Sequence, residues 1–131
     1  MLFFFKQKTA YEMVGSDWSS DVCSSDLGMR SSVLGGTCHE LGKYDFVACG
    51  KTGTAQNRGH DHSVFMGFAP MDNPQIAVAV YVENGGWGAT YGVPIGGLIM
   101  EKYIKGKLSE ASEAKAQNIQ ERRIAYGTAD R

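Results

Sequence analysis

Eight consecutive residues concentrate the chemistry of this chain: Cys49-Gly50-Lys51-Thr52-Gly53-Thr54-Ala55-Gln56. They bring one cation, two hydroxyls and two glycines into a single short stretch. On an edge strand, such a stretch can bind a carboxylate. Lys51 supplies charge and Thr52 and Thr54 supply hydroxyls. Gly53 leaves the backbone bare, so a ligand's main chain can come close. Two other readings of Gly50-Lys51-Thr52 compete. A phosphate loop needs Gly-x-x-x-x-Gly-Lys-[Ser/Thr] so that the backbone curls around the phosphates. Here Asp45 stands at the first glycine position, where its carboxylate would repel phosphate. Gly53 and a polar loop follow where a helix should begin. The remaining reading is a strand with a chance lysine, and three residues alone do not exclude it.

The motif needs a strand, and the strand needs a sheet. Phe46-Val47-Ala48 leads into it, so the first strand is expected over about 46–54. A polar loop over 57–61 separates it from the apolar run His62-Ser63-Val64-Phe65-Met66-Gly67-Phe68-Ala69. Pro70-Met71-Asp72-Asn73-Pro74 reads as a turn. Gln75-Ile76-Ala77-Val78-Ala79-Val80-Tyr81-Val82 reads as a third strand. Short connections between successive strands predict an antiparallel meander. Apolar residues at nearly every strand position predict that both faces are covered, with part of that cover expected from elements outside this chain. After a glycine loop over 83–88, residues 89–105 read as a helix. Ile95, Ile99 and Tyr103 form its expected packing row, with Leu98 beside it. Gly92 and Gly96 share a face and would allow close approach to the sheet, and Gly106 ends the helix. Gly28-Met29-Arg30-Ser31-Ser32-Val33-Leu34, stopped by Gly35-Gly36, reads as the end of an earlier helix. The fold class is α+β: a three-stranded antiparallel meander with a C-terminal helix packed on it.

The 131 residues allow one domain at most, and an apolar fraction of 43% is enough for a core. The net charge of −1 and the lack of a basic block argue against nucleic acid. Three cysteines without a CxxC pair give neither a disulfide framework nor a zinc pattern, and no metal or cofactor is expected. No run approaches the length of a membrane helix. Met1-Leu2-Phe3-Phe4-Phe5 is too short for a signal-peptide core. Three parts are expected: a disordered or loosely helical leader over 1–27, the folded portion over 28–107, and a charged helical or frayed tail over 108–131. The leader's Ser-Asp repeats fit no strand or helix period. Its strings Phe3-Phe4-Phe5-Lys6-Gln7-Lys8-Thr9-Ala10-Tyr11-Glu12-Met13 and Ser16-Asp17-Trp18-Ser19-Ser20-Asp21-Val22-Cys23-Ser24-Ser25-Asp26-Leu27 resemble translated sequencing-adaptor read-through.

Beyond the triplet, the order of motifs is specific. Gly50-Lys51-Thr52-Gly53-Thr54-Ala55-Gln56 is followed by the string from His62 to Pro70. Then come the Ile76 to Val82 run, Glu83-Asn84-Gly85-Gly86, and Pro94-Ile95. This succession resembles the C-terminal part of the transpeptidase domain of class B penicillin-binding proteins, and most closely the members that serve cell elongation. The resemblance spans about 28–107 and implies a piece of the penicillin-binding and β-lactamase-like fold. By that resemblance Lys51 binds the terminal carboxylate of a D-Ala-D-Ala stem peptide or a β-lactam and influences proton transfer. Thr52 and Thr54 offer hydroxyls, with Thr54 the carboxylate contact. Gly53 lets the substrate pair as an added strand. The Thr54 N–H is one of two oxyanion-hole donors, so Lys51 and Thr54 are the catalytic candidates. The resemblance also implies a parent in the bacterial inner membrane, its domain facing the periplasm, partnered by a membrane glycan polymerase.

That family acylates a serine in Ser-x-x-Lys, assisted by Ser-x-Asn. Here the one Ser-x-x-Lys, Ser112-Glu113-Ala114-Lys115, follows the motif strand instead of preceding it, and no Ser-x-Asn occurs. The isolated chain is therefore expected to resist acylation by penicillin; because its apolar strands and helix would lack part of their cover, it is also expected to dissolve poorly. Two other function classes stay open: a non-catalytic peptide- or partner-binding module using the edge strand, and a serine β-lactamase or β-lactam sensor. His60 and His62 are expected at a loop-to-strand junction on the site's rim. Cys38 and His39 are expected on the surface. Trp87 is expected as a lid over the helix start.

Overall fold

The computed structural model describes residues 2–5 and 21–124. Its elements run β1 (Leu2–Phe5), α1 (Asp21–Gly35), a short 3-10 helix (His39–Lys43), β2 (Cys49–Ala55), β3 (His62–Ala69), β4 (Ile76–Val82), α2 (Gly92–Lys105) and α3 (Glu110–Glu121). The strands form one antiparallel sheet in the order β1-β4-β3-β2. The expected meander is β2, β3 and β4, and β2 keeps a free outer edge.

Two stretches of the expected disordered or loosely helical leader over 1–27 lie within the described residues. Leu2–Phe5 pairs with β4, register Leu2 to Val80. A Leu-Phe-Phe-Phe run is strongly β-prone, and the outer edge of β4 offers unpaired backbone groups. α1 begins at Asp21 and runs through the expected boundary at 28 without a break. The rest of the leader's Ser-Asp pattern falls largely outside the described residues.

Strand residues alternate in burial although their types do not alternate. On β3, Ser63, Phe65, Gly67 and Ala69 are buried; on β4, Ile76, Val78 and Val80 are buried. Register sets Phe65 between Thr52 and Val80, so these residues share one face. α2 covers that face. The other face carries Val64, Met66, Phe68, Ala77, Ala79 and Tyr81, of which Met66 is 54% exposed and Tyr81 38%. Within the described residues α2 covers one face and the other is left partly open. Apolar residue types cannot by themselves report which face has a partner.

Close approach of α2 depends on glycine, as expected for Gly92 and Gly96. A Cβ on Gly92 would lie 2.8 Å from the Phe65 Cβ, and one on Gly96 would strike the Phe65 ring. Of the expected packing row, Ile95 and Ile99 pack against the core from its edge and Tyr103 does not. Val93, Gly96, Gly97, Met100 and Glu101 form the buried stripe, while Ile95, Leu98 and Ile99 are half-buried and Tyr103 is exposed. Phe65 needs the space that side chains would take, so the stripe of small residues, not the largest apolar ones, meets the sheet. α2 ends at Gly106, whose φ of 77° places it in the left-handed region.

Candidate functional site

Lys51 lies on the free edge strand opposite Met66, and Gly53 lies opposite Val64. Both therefore belong to the more open face of the sheet. The Lys51 side chain is exposed, and its ammonium donates to the Thr52 carbonyl at 2.9 Å. That uses one of three N–H donors and leaves two for an anion. Thr52 and Thr54 point to the opposite face by strand alternation, so charge and hydroxyls flank the edge from two sides. The Thr52 hydroxyl shares a 2.6 Å hydrogen bond with the Thr37 hydroxyl. Thr54 is exposed, and its hydroxyl has no side-chain partner among the described residues. The structure thus separates the two threonines: one is held, the other is available.

Two elements fix this edge from behind. Where β2 begins, α1 packs across it, and Arg30 donates from Nη1 to the Ala48 carbonyl at 2.9 Å. Cys49, two residues before Lys51, is fully buried. Burial pushes its thiol up from 9.0 to about 11, with the Asp26 carboxylate adding to the rise and the Arg30 guanidinium opposing it. Cys49 is a neutral packing residue at pH 7, not a nucleophile. Where β2 ends, the loop over 83–88 lies against it. A Cβ on Gly88 would meet the Gly53 carbonyl oxygen at 2.8 Å and the Thr52 Cβ at 2.9 Å.

Ser63 joins that loop to the sheet. It sits opposite Thr54, is fully buried, and donates to the Trp87 carbonyl at 2.9 Å. It also accepts the Gly92 N–H at 3.1 Å, satisfying a free donor at the start of α2. Neither Thr37 nor Ser63 was singled out from sequence. A lone serine within the apolar run 62–69 was the available signal for the second. Trp87 is 75% exposed; its carbonyl takes the Ser63 hydroxyl and the Thr90 N–H, and the neighbouring Gly88 carbonyl takes the Val93 N–H in the first turn of α2. His62 Nδ1 accepts the Asn84 N–H at 3.0 Å, while His60 stays in the preceding loop. Cys38, expected on the surface, is fully buried in the core beside Leu41. The 3-10 helix folds it inward; His39 next to it bonds only the Gly36 carbonyl.

A second polar cluster lies away from the edge. Lys115 of α3 pairs with Glu40 at 2.7 Å and stands 5.4 Å from the Tyr44 ring centroid. Partial burial lowers the Lys115 pKa, but the Glu40 carboxylate and Tyr44 more than offset this, and the net shift is upward. Burial pushes the Tyr44 hydroxyl up, with the Lys115 charge opposing. The Ser112 and Lys115 of the late Ser-x-x-Lys both face this cluster, not the Lys51 edge.

A glycine-faced helix thus packs behind an antiparallel sheet whose outer strand among the described residues carries Lys51-Thr52-Gly53-Thr54. The chain belongs to the family described as the penicillin binding protein transpeptidase domain, which matches residues 24–104. It is 29% identical over 85 residues to the peptidoglycan D,D-transpeptidase MrdA of Haemophilus influenzae, covering 53% of this chain and 13% of that protein. The solved structure of Pseudomonas aeruginosa PBP2 in complex with WCK 5153 is similar at 43% identity and a TM-score of 0.56. That match covers 66% of this chain and 20% of the solved one. PBP2 of Helicobacter pylori, solved in a complex with MreC, is similar at 26% identity and a TM-score of 0.53, over 63% of this chain and 17% of that one. The chain is therefore part of a transpeptidase domain, spanning about an eighth of the curated relative and a fifth of the Pseudomonas chain.

Proposed function

We propose that these residues form the ligand-holding edge of a peptidoglycan D,D-transpeptidase, folded over 28–107. The observation that carries this is the free β2 edge, with an exposed ammonium on one side and an available Thr54 hydroxyl on the other. A peptide ending in D-Ala-D-Ala, or a β-lactam, would add along β2 as a further strand. Its carboxylate would take the Thr54 hydroxyl and the Lys51 ammonium, as a charge-assisted pair. Thr52, tied to Thr37, would hold the strand's shape more than the ligand. Gly53 would keep the edge bare. The Thr54 N–H would face the scissile carbonyl, and loss of one such donor costs about 10²–10³ in rate.

In this reading the acylated serine and its lysine come from other residues of the domain. The parent is a membrane-anchored enzyme whose domain faces the periplasm, with a scaffold such as MreC and a glycan polymerase as partners. Among the described residues no helix is long and apolar enough to cross a membrane. Similarity to MrdA and PBP2 supports the assignment.

Complementation tests it. The chain is mixed with an upstream domain fragment carrying Ser-x-x-Lys and Ser-x-Asn, and labelling by a fluorescent penicillin is followed. Labelling that requires both pieces and falls in Lys51→Ala is expected. A reconstituted pair that stays unlabelled would overturn the assignment, leaving a non-catalytic peptide-binding edge.

A further inference from the structure

The cavity between the 3-10 helix, α2 and α3 holds polar groups that the fold leaves unserved. It measures about 360 Å³, within the range of small-ligand pockets, and Tyr44, Glu101, Ser112 and Lys115 all line it. Glu101 is 2% exposed, yet its Oε2 has no hydrogen-bond partner and it joins no ion pair among the described residues. A buried carboxylate without a donor is strongly unfavourable. The Tyr44 hydroxyl is likewise buried without a partner at bonding distance. Lys115, Glu101 and Ser112 nevertheless all act on its titration, so the four groups converge.

The lysines of the lining do not serve Glu101. Lys105 is committed to Asp45 at 2.6 Å and Lys115 to Glu40 at 2.7 Å. Lys115 keeps two of its three N–H donors, and Ser112, which accepts from the Ser109 hydroxyl at 3.0 Å, keeps its own proton. One wall thus offers an acceptor without a donor, and another offers donors without an acceptor. The upward shift of Lys115 holds it as a cation, so Ser112 has no base beside it and the cluster is suited to binding, not attack. We infer that this cavity is a binding site for a small zwitterion of the amino-acid class, with its ammonium on Glu101 Oε2 and its carboxylate on the Lys115 ammonium and the Tyr44 hydroxyl. An ammonium alone would gain Glu101 but meet the like charge of Lys115. A carboxylate on the same molecule turns that repulsion into attraction. None of Lys51, Thr52, Gly53 and Thr54 lines the cavity, so the inference does not depend on the edge-binding reading.

The test titrates the full 131-residue chain, labelled with nitrogen-15, with glycine. The amide resonances of Tyr44, Glu101 and Ser112 are read together with the melting midpoint. We expect saturable shifts of all three amides with one midpoint at about 1–10 mM, within reach of so small a ligand, and a melting midpoint that rises with glycine. Trimethylglycine has the same charges but no N–H, and should leave the amides unmoved. Methylammonium and acetate, the two halves of the ligand, should each bind at least about tenfold more weakly. Glu101→Gln removes a buried charge at constant shape and should weaken glycine about 10–100-fold. Tyr44→Phe should weaken it about threefold to tenfold. Circular dichroism reports folding, and Tyr44→Phe carries the test should Glu101→Gln unfold. The inference is overturned if glycine moves none of the three amides up to about 100 mM, if trimethylglycine or methylammonium binds as well, or if the folded variants keep the wild-type midpoint. Shifts at Thr54 in place of Ser112 would put glycine on the β2 edge and overturn it too.

Discussion

The two faces of the same three strands behave as different materials. Phe65 and Met66 are neighbours in the chain and both apolar. Phe65 is fully buried against the glycines of α2, while Met66 stands 54% exposed beside Lys51. The α2 face is a close-packed core in which one methyl group matters. The Lys51 face is fully buried at Cys49, half-buried at Val64, Phe68, Ala77 and Ala79, and open along Lys51, Met66 and Tyr81. A ligand edge needs both conditions. The strand must be rigid from behind and accessible in front.

The strongest way to break this contrast is to truncate one residue on each face. Phe65→Ala should lose about 3–5 kcal/mol in urea unfolding, because the cavity sits in a core that cannot collapse around it. Met66→Ala should stay within about 0.5 kcal/mol. Equal losses would mean that the open face is packed too. Next in size, Gly96→Ala should destabilise by about 1–3 kcal/mol through overpacking on Phe65, offset in part by about 1 kcal/mol of better helix propensity. A melting temperature that rises instead would show that Phe65 can move aside.

Cys49 sharpens the comparison by pH. Its folded thiol titrates near 11 against an ordinary 9.0. Because the folded pKa is raised, the stabilisation is fully present below about pH 9 and is lost as pH climbs toward 11. Iodoacetamide labelling of folded protein should therefore stay slow at pH 8, and unfolding midpoints should fall between pH 9 and 11 in wild type but less so in Cys49→Ala. Fast labelling at pH 8 would show that α1 leaves this end of the face open. The smallest effect is expected at Lys105→Ala. The 2.6 Å pair with Asp45 is solvent-exposed, and such pairs contribute about 0–1 kcal/mol. A larger loss would mark Asp45 as part of a wider network.

Sequence reasoning reached the strands and their order because apolar runs bounded by Gly, Pro and Asn carry local signals. β3 was expected over 62–69 and spans His62–Ala69; β4 begins one residue later than expected. β2 begins three residues late, at Cys49, because Phe46 and Val47 lead into the strand without joining its ladder. On α2, apolar size pointed to Ile95 and Ile99, which pack at the edge of the core, but not to the fully buried stripe through Val93, Gly96, Gly97 and Met100. The Phe65 ring, some thirty residues earlier in the chain, selects the glycines. Cys38 and Ser63 were missed for a related reason. Their burial is created by elements distant in sequence, the 3-10 helix turning Cys38 inward and the Trp87 loop closing over Ser63.

By itself, the sequence determined an antiparallel α+β meander and the Lys51-Thr52-Gly53-Thr54 stretch. These depend on residue type and spacing within about ten positions. The tertiary structure alone decided that this stretch lies on a free edge, that Thr52 is tied to Thr37 while Thr54 is available, and that Ser63 anchors the loop over 83–88 against it. Each of those facts joins residues 15 to 29 positions apart. Hydrogen bonds over that separation form only once the chain has closed on itself, so no local pattern encodes them.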